Sequence, residues 1–151
     1  MNNTKELILK AKKLHENKNF SEAKSFLLQA LDKTLRNDVV RLNLYILISD
    51  ISYKINDFDD AEKYLLKYIE TDKSNSNIFN SLGNIYQKKR DYKNSEKFYL
   101  QAVGLEEGEK QLSNLAILYQ NLGKIEKAKK YYNKVLNKNS KNIGALYNLS
   151  N

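Results

Sequence analysis

NIFNSLGNIYQKKRDYKNSEKFYLQAV, residues 77–103, is followed by KQLSNLAILYQNLGKIEKAKKYYNKVL, residues 110–136, and the two stretches align without a gap at a period of 33. Leu82, Gly83, Tyr86, Ser95, Tyr99 and Ala102 recur as Leu115, Ala116, Tyr119, Ala128, Tyr132 and Val135. Within each copy, apolar residues at helical spacing, such as Phe79, Leu82, Gly83 and Tyr86, precede a short polar break. A second helical run carries Tyr92, Ser95, Phe98, Tyr99 and Ala102. The expected unit is a pair of antiparallel helices, and such pairs bury their apolar faces only by stacking on one another.

Sliding the pattern towards the N-terminus finds two weaker copies. Ile48, Ser49, Ser52, Ala61, Leu65 and Tyr68 form one, and Lys10, Ala11, Leu14, Ala23, Leu27 and Ala30 the other. The predicted organisation is all-α and a single repeat domain over residues 1–151. Its units span 4–41, 42–75, 76–108 and 109–142, with a partial fifth over 143–151. The first unit is longer than the others by about one helical turn.

Small residues mark the place where the two helices of a unit cross. Ala11, Ser49, Gly83 and Ala116 are equivalent in the first helices, and Ala23, Ala61, Ser95 and Ala128 in the second. Phe20, Phe58, Tyr92 and Ile125 keep step three residues before each of the latter. Glycine inside a helix costs about 1 kcal/mol against alanine, so Gly83 needs a compensating reason, and close approach of the second helix supplies one. Asn19, Asp57 and Asp91 are expected to cap the second helices by accepting first-turn amide hydrogens, with Glu22 and Asp60 adding a following acid. Lys124 departs from that series, and there Gly123 is expected to close the preceding helix in a left-handed conformation.

Composition agrees with helices and narrows the chemistry. The chain has no proline, five glycines and no cysteine, so turn and sheet punctuation is sparse and neither disulfides nor thiolate metal sites are possible. No stretch approaches the ~18 apolar residues of a membrane span, and the start has no signal-like apolar block. A cytoplasmic location is expected. His15 is the only histidine, and no phosphate loop or nucleophile motif accompanies it, so no catalysis, cofactor or metal is expected. The acids Asp57, Asp59, Asp60 and Glu62 read as the start of a helix.

The small, aromatic and aliphatic pattern beginning at Asn77 resembles the tetratricopeptide repeat family, over residues 4–142 and the final stub. That resemblance implies a right-handed superhelix of helix pairs, its concave groove lined by first helices and its convex side by second helices. It also implies a non-catalytic scaffold or adaptor that binds a protein or an extended peptide. The alternative it allows is the partner-binding arm of a longer enzyme such as a glycosyl- or sulfotransferase.

The expected groove residues are the outward positions of the first helices. They are Asn43, Asp50 and Tyr53, then Asn77, Asn80, Asn84 and Gln87, then Lys110, Asn114 and Asn121, with Asn148 in the stub. Each side-chain amide offers a donor and an acceptor to a peptide backbone. Asn114 and Asn148 match places where some family members carry a peptide-gripping asparagine ladder. A carboxylate clamp of the kind the family also uses is disfavoured, because Asn80 and Gly144 stand where it needs lysines and Asn148 where it needs a cation.

Residues 109–151 hold 8 lysines against 2 acids. Lys124, Lys127, Lys130, Lys134, Lys138 and Lys141 are expected to form a solvated face on the convex side. The tyrosines near them fall at core spacing, so nucleic acid is not the expected partner. The stub 143–151 is half a unit with an uncovered apolar face. The two expectations for it are further chain beyond it, or pairing with a second copy.

Overall fold

The computed structural model describes residues 2–35 and 39–150, and among these the chain forms α-helices joined by short turns, with no strand. The helices are α1 (Asn2–Glu16), α2 (Phe20–Asp32), α3 (Val39–Lys54), α4 (Phe58–Thr71), α5 (Ser76–Lys88), α6 (Tyr92–Leu105), α7 (Glu109–Asn121), α8 (Ile125–Lys138) and α9 (Ile143–Ser150). Contacts divide them into two compact units, residues 1–73 and 74–151. The first unit holds the pairs α1/α2 and α3/α4, and the second holds α5/α6, α7/α8 and the lone helix α9.

Phe20, Phe58, Tyr92 and Ile125 are each the first residue of a second helix. The small residues meet at the crossings as expected: Ala11, Ala23, Ser49, Ala61, Gly83, Ser95, Ala116 and Ala128 are all buried. Two of them also bond across the crossing. Ser49 Oγ donates to the carbonyl of Ala61 at 2.9 Å, and Ser95 Oγ donates to that of Gly83 at 2.9 Å. The helices approach closely enough there for a side-chain hydroxyl to reach the facing backbone.

Each pair is joined by the same tight turn. The last amide of the turn donates back to the helix before it: Asn19 to Leu14 at 2.8 Å, Asp57 to Ser52 at 2.8 Å, Asp91 to Tyr86 at 2.9 Å and Lys124 to Tyr119 at 2.8 Å. The residue just before that amide is left-handed in all four turns, with φ 60° at Lys18, Asn56 and Arg90 and φ 68° at Gly123. Glycine fits that conformation without strain, whereas a Cβ costs roughly 1 kcal/mol there. Arg90→Gly is therefore expected to raise stability by about 0.5–1 kcal/mol, read as a higher thermal midpoint. Asn56→Gly should gain less, because asparagine tolerates this region.

The expected caps hold at Asp57 and Asp91, which accept from the amides of Asp60 at 3.2 Å and Asn94 at 3.1 Å. Asn19 differs. Its side chain makes no capping bond and instead donates through Nδ2 to the Glu22 carboxylate at 2.6 Å. That bond turns the donor end of the amide towards Glu22, and its oxygen makes no bond to the first-turn N–H groups. The first unit's extra length also lies elsewhere than in a longer helix pair, since α1 and α2 are no longer than α3 and α4. It is shared between the connection from Asp32 to Val39, of which residues 36–38 lie outside the described residues, and an extra turn at the start of α3, which has 16 residues against 13 in α5 and in α7.

In the second unit the core runs through Tyr99, Leu112, Leu115, Tyr119, Tyr132 and Val135. On α9, Ala145 is buried in this core and Leu149 packs on it, while Ile143, Leu146 and Tyr147 are exposed.

Candidate functional site

In the second unit, α5 and α7 lie side by side and present their outward residues together. Asn77, near the start of α5, is exposed beside its cap Asn75, whose side chain accepts from the Asn77 amide at 3.1 Å. Three residues on, Asn80 departs from the expected outward position: it is completely buried. Asn114 of α7 leans across it and donates through Nδ2 to Asn80 Oδ1 at 2.9 Å. Asn80 is thus an internal strut between two first helices, and Asn114 is the member of the pair that reaches the surface.

Asn84 and Gln87 are half-buried, and both are held from behind by the second helix of their own pair. Tyr99 Oη points between them, donating its one proton to Asn84 Oδ1 at 2.5 Å and lying 2.9 Å from the Gln87 side-chain amide. One period later the arrangement repeats, with Tyr132 Oη donating to Gln120 Oε1 at 2.6 Å. Burial raises the Tyr132 phenol above its ordinary range, so it stays protonated as a donor. Gln120 was not among the expected groove residues, although its register with Gln87 at the 33-residue period is visible in the sequence.

Lys110 and Asn121 are exposed at the two ends of α7. Asn148 folds back on its own helix, donating through Nδ2 to the carbonyl of Gly144 at 2.8 Å. It does not continue the Asn114 to Asn80 contact.

The first unit carries a different surface. Asn43 and Asp50 are exposed on α3. Asp50 is bridged by Lys54 at 2.8 Å and lies 3.6 Å from His15 Nε2, while Lys54 Nζ sits 2.6 Å from the same ring nitrogen. Tyr53 is half-buried and meets Phe58 edge-on at 5.4 Å, and burial raises its phenol. His15, the equivalent of Tyr53, meets Phe20 edge-on at the same 5.4 Å. Beside this cluster is a recess of about 140 Å³ with an apolar floor of Ala11, Leu27, Leu47 and Ile51 and a rim of Lys12, His15, Glu16 and Asp50. Asn43 borders a second recess that includes Ile8, Val40 and Ile46.

The lysines expected to form a solvated face on the last full pair are divided in their use. Lys124 and Lys127 bridge Glu96 of the preceding pair at 3.3 and 3.7 Å and lie over the Tyr119 ring, and Lys134 bridges Glu107. Lys130, Lys138 and Lys141 are exposed. Among the described residues no group of three or more His, Asp or Glu could hold a metal ion, and no helix is long and apolar enough to cross a membrane.

Comparison with known proteins gives the fold a family. No curated protein matches the chain. Among solved structures, a tetratricopeptide repeat protein from Parabacteroides merdae ATCC 43184 aligns at a TM-score of 0.91 and 17% identity, over 98% of this chain and 58% of that one. MamA aligns at 0.80 and 18% identity, over 89% of this chain and 77% of its own. YrrB, described as a TPR protein with an unusual peptide-binding site, aligns at 0.74 and 19% identity, over 94% and 72%. At these identities the likeness shows the fold alone. Models of the tetratricopeptide repeat match residues 42–75, 76–108 and 110–142 of the sequence itself, and by that match the chain belongs to the tetratricopeptide repeat family.

Proposed function

We propose that this chain is an adaptor that holds an extended peptide against the outward faces of its first helices, with no chemistry of its own. Tetratricopeptide repeats are protein-interaction scaffolds, and a row of helices offers a linear ligand many weak contacts. The observation that carries the reading is the wall formed by α5 and α7. Asn84, Gln87, Asn114 and Gln120 lie there as side-chain amides held in place by Tyr99, Asn80 and Tyr132. Amides fixed before the ligand arrives lose little side-chain entropy on binding, which raises affinity.

The test uses a peptide array and two alanine substitutions. Asn84→Ala combined with Asn114→Ala leaves Tyr99 its contact with Gln87 and costs the fold about 1–3 kcal/mol through the bond that buried Asn80 loses. Peptides bound by the native chain are expected to lose about tenfold or more in affinity on the variant. The helical circular dichroism spectrum should not change. Array peptides that bind the variant as well as the native chain would remove the wall from the reading.

A further inference from the structure

The amides on α5 and α7 are not neutral between donating and accepting. The carbonyl oxygen of Asn84 accepts the single proton of the Tyr99 phenol, and that of Gln120 accepts the proton of the Tyr132 phenol. Their NH2 groups make no hydrogen bond within the described protein. Asn80 shows the same polarity inside the wall: its oxygen accepts from Asn114, while its buried Nδ2 has no partner. Asn114 is the exception, spending its N–H on Asn80 and keeping its carbonyl oxygen.

Charge points the same way. α5 contains no acidic residue, and the one acid of α7 is its first residue, Glu109. That carboxylate is held by Asn142 Nδ2 at 2.5 Å and Asn139 Nδ2 at 3.2 Å. Lys88 at the end of α5 and Lys110 at the start of α7 are exposed. The wall therefore offers N–H donors and cations, with Asn114 supplying one acceptor.

Resting on the peptide reading above, we infer that the wall of α5 and α7 selects an acidic extended segment, whose carboxylates and main-chain carbonyls accept from Asn84 and Gln120. An acceptor ligand completes hydrogen bonds that the protein leaves unmade, and the tyrosines behind the amides keep the carbonyl ends turned inward. A basic segment would face donors with donors.

The experiment measures fluorescence anisotropy of the full chain with three labelled decapeptides of alternating Glu-Ala, Gln-Ala and Lys-Ala, at about 0.15 M salt. The Glu-Ala peptide is expected to bind at least about tenfold more tightly than Gln-Ala, and Lys-Ala not at all. Asn84→Asp and Gln120→Glu preserve the acceptors that Tyr99 and Tyr132 need and replace the NH2 groups with carboxylate oxygen. Each should weaken Glu-Ala binding about tenfold. Lys130→Gln makes the same change in net charge on α8 and should leave binding within about twofold. Equal binding of Glu-Ala and Gln-Ala, or an equal loss with Lys130→Gln, would overturn the acidic preference while leaving peptide binding standing. Failure of all three peptides to bind would count against the peptide reading itself.

Discussion

Gly83→Val is expected to destabilise the fold by about 3 kcal/mol, while the same class of change at Gly104, to alanine, should stabilise it by about 0.5–1 kcal/mol. A Cβ on Gly83 would stand 2.5 Å from Cε1 and 2.9 Å from Cγ of Tyr99, whereas a Cβ on Gly104 meets nothing within 4 Å. Tyr99 cannot yield cheaply. It is 1% exposed, and its hydroxyl is tied to Asn84 and Gln87. The expected loss combines overpacking with a hydrogen bond worth about 1 kcal/mol.

The neighbouring pair shows how far a smaller change would be tolerated. There Ala116 stands in the place of Gly83 opposite Tyr132, and the phenol bonds Gln120 alone, with Ile117 where Asn84 would be. Gly83→Ala should therefore shift Tyr99 off Asn84 while sparing Gln87, for a smaller loss than valine. Urea denaturation of the three variants gives the order. A Gly83→Val protein as stable as the native chain would show that the crossing is not close-packed.

The helix pairs were legible because their signals are local and repeated. Small residues at Ala11, Ser49, Gly83 and Ala116 and an aromatic or aliphatic residue at the head of each second helix locate the crossing from spacing alone. The left-handed turn was fully legible only at Gly123. Asn56 carries a weak signal, since asparagine tolerates this region, whereas Lys18 and Arg90 carry none and take the conformation because the backbone bonds of the turn impose it.

Which first-helix amides reach the surface was legible only in part. Asn80 occupies an outward position on α5 viewed singly, and it is buried because α7 brings Asn114 over it. The inward pull of Tyr99 and Tyr132 on the amides depends on side-chain reach across a helix pair, which helical spacing does not report. Within the chain one exchange does become readable afterwards. Where the second helix carries leucine, at Leu27 and Leu65, the matching first-helix residue is a ring, His15 or Tyr53, set against phenylalanine. Where it carries tyrosine, the matching residue is glutamine.

Glu96→Lys is expected to cost about 2–3 kcal/mol, and the loss should be partly reversed by adding Lys124→Asp and Lys127→Asp. Glu96 accepts from the Tyr119 phenol at 2.8 Å and bridges Lys124 and Lys127, which flank the start of α8. Burial alone would raise this carboxyl, but the bonds from Tyr119 and Lys124 outweigh it and hold the group below its usual range. The same burial, reinforced by Glu96, pushes the Tyr119 phenol well upwards.

In the first unit the equivalent contact has opposite charges. Lys24 sits at the position of Glu96 and bridges Asp57 at 2.8 Å and Asp60 at 2.7 Å, the equivalents of Lys124 and Lys127. Lys24 is desolvated, yet the two carboxylates raise its affinity for the proton. Within each unit the second helix of the first pair thus reads the start of the second helix of the next, by a contact that works in either polarity.

Most of the loss in Glu96→Lys comes from Tyr119, which is 2% exposed and would lose its carboxylate acceptor. The repulsion from Lys124 and Lys127 is smaller, because their side chains are 44% and 56% exposed and water screens them. The triple variant would rebuild the Lys24 arrangement and give α8 a capping aspartate in place of Lys124. It should recover about 1–1.5 kcal/mol, with the remainder staying lost at Tyr119. Lys124→Asp with Lys127→Asp in the presence of Glu96 should destabilise, since three carboxylates would then converge. Denaturation midpoints of the four proteins close the cycle. A triple variant no more stable than Glu96→Lys alone would mean that complementary charge between successive pairs contributes nothing to the fold.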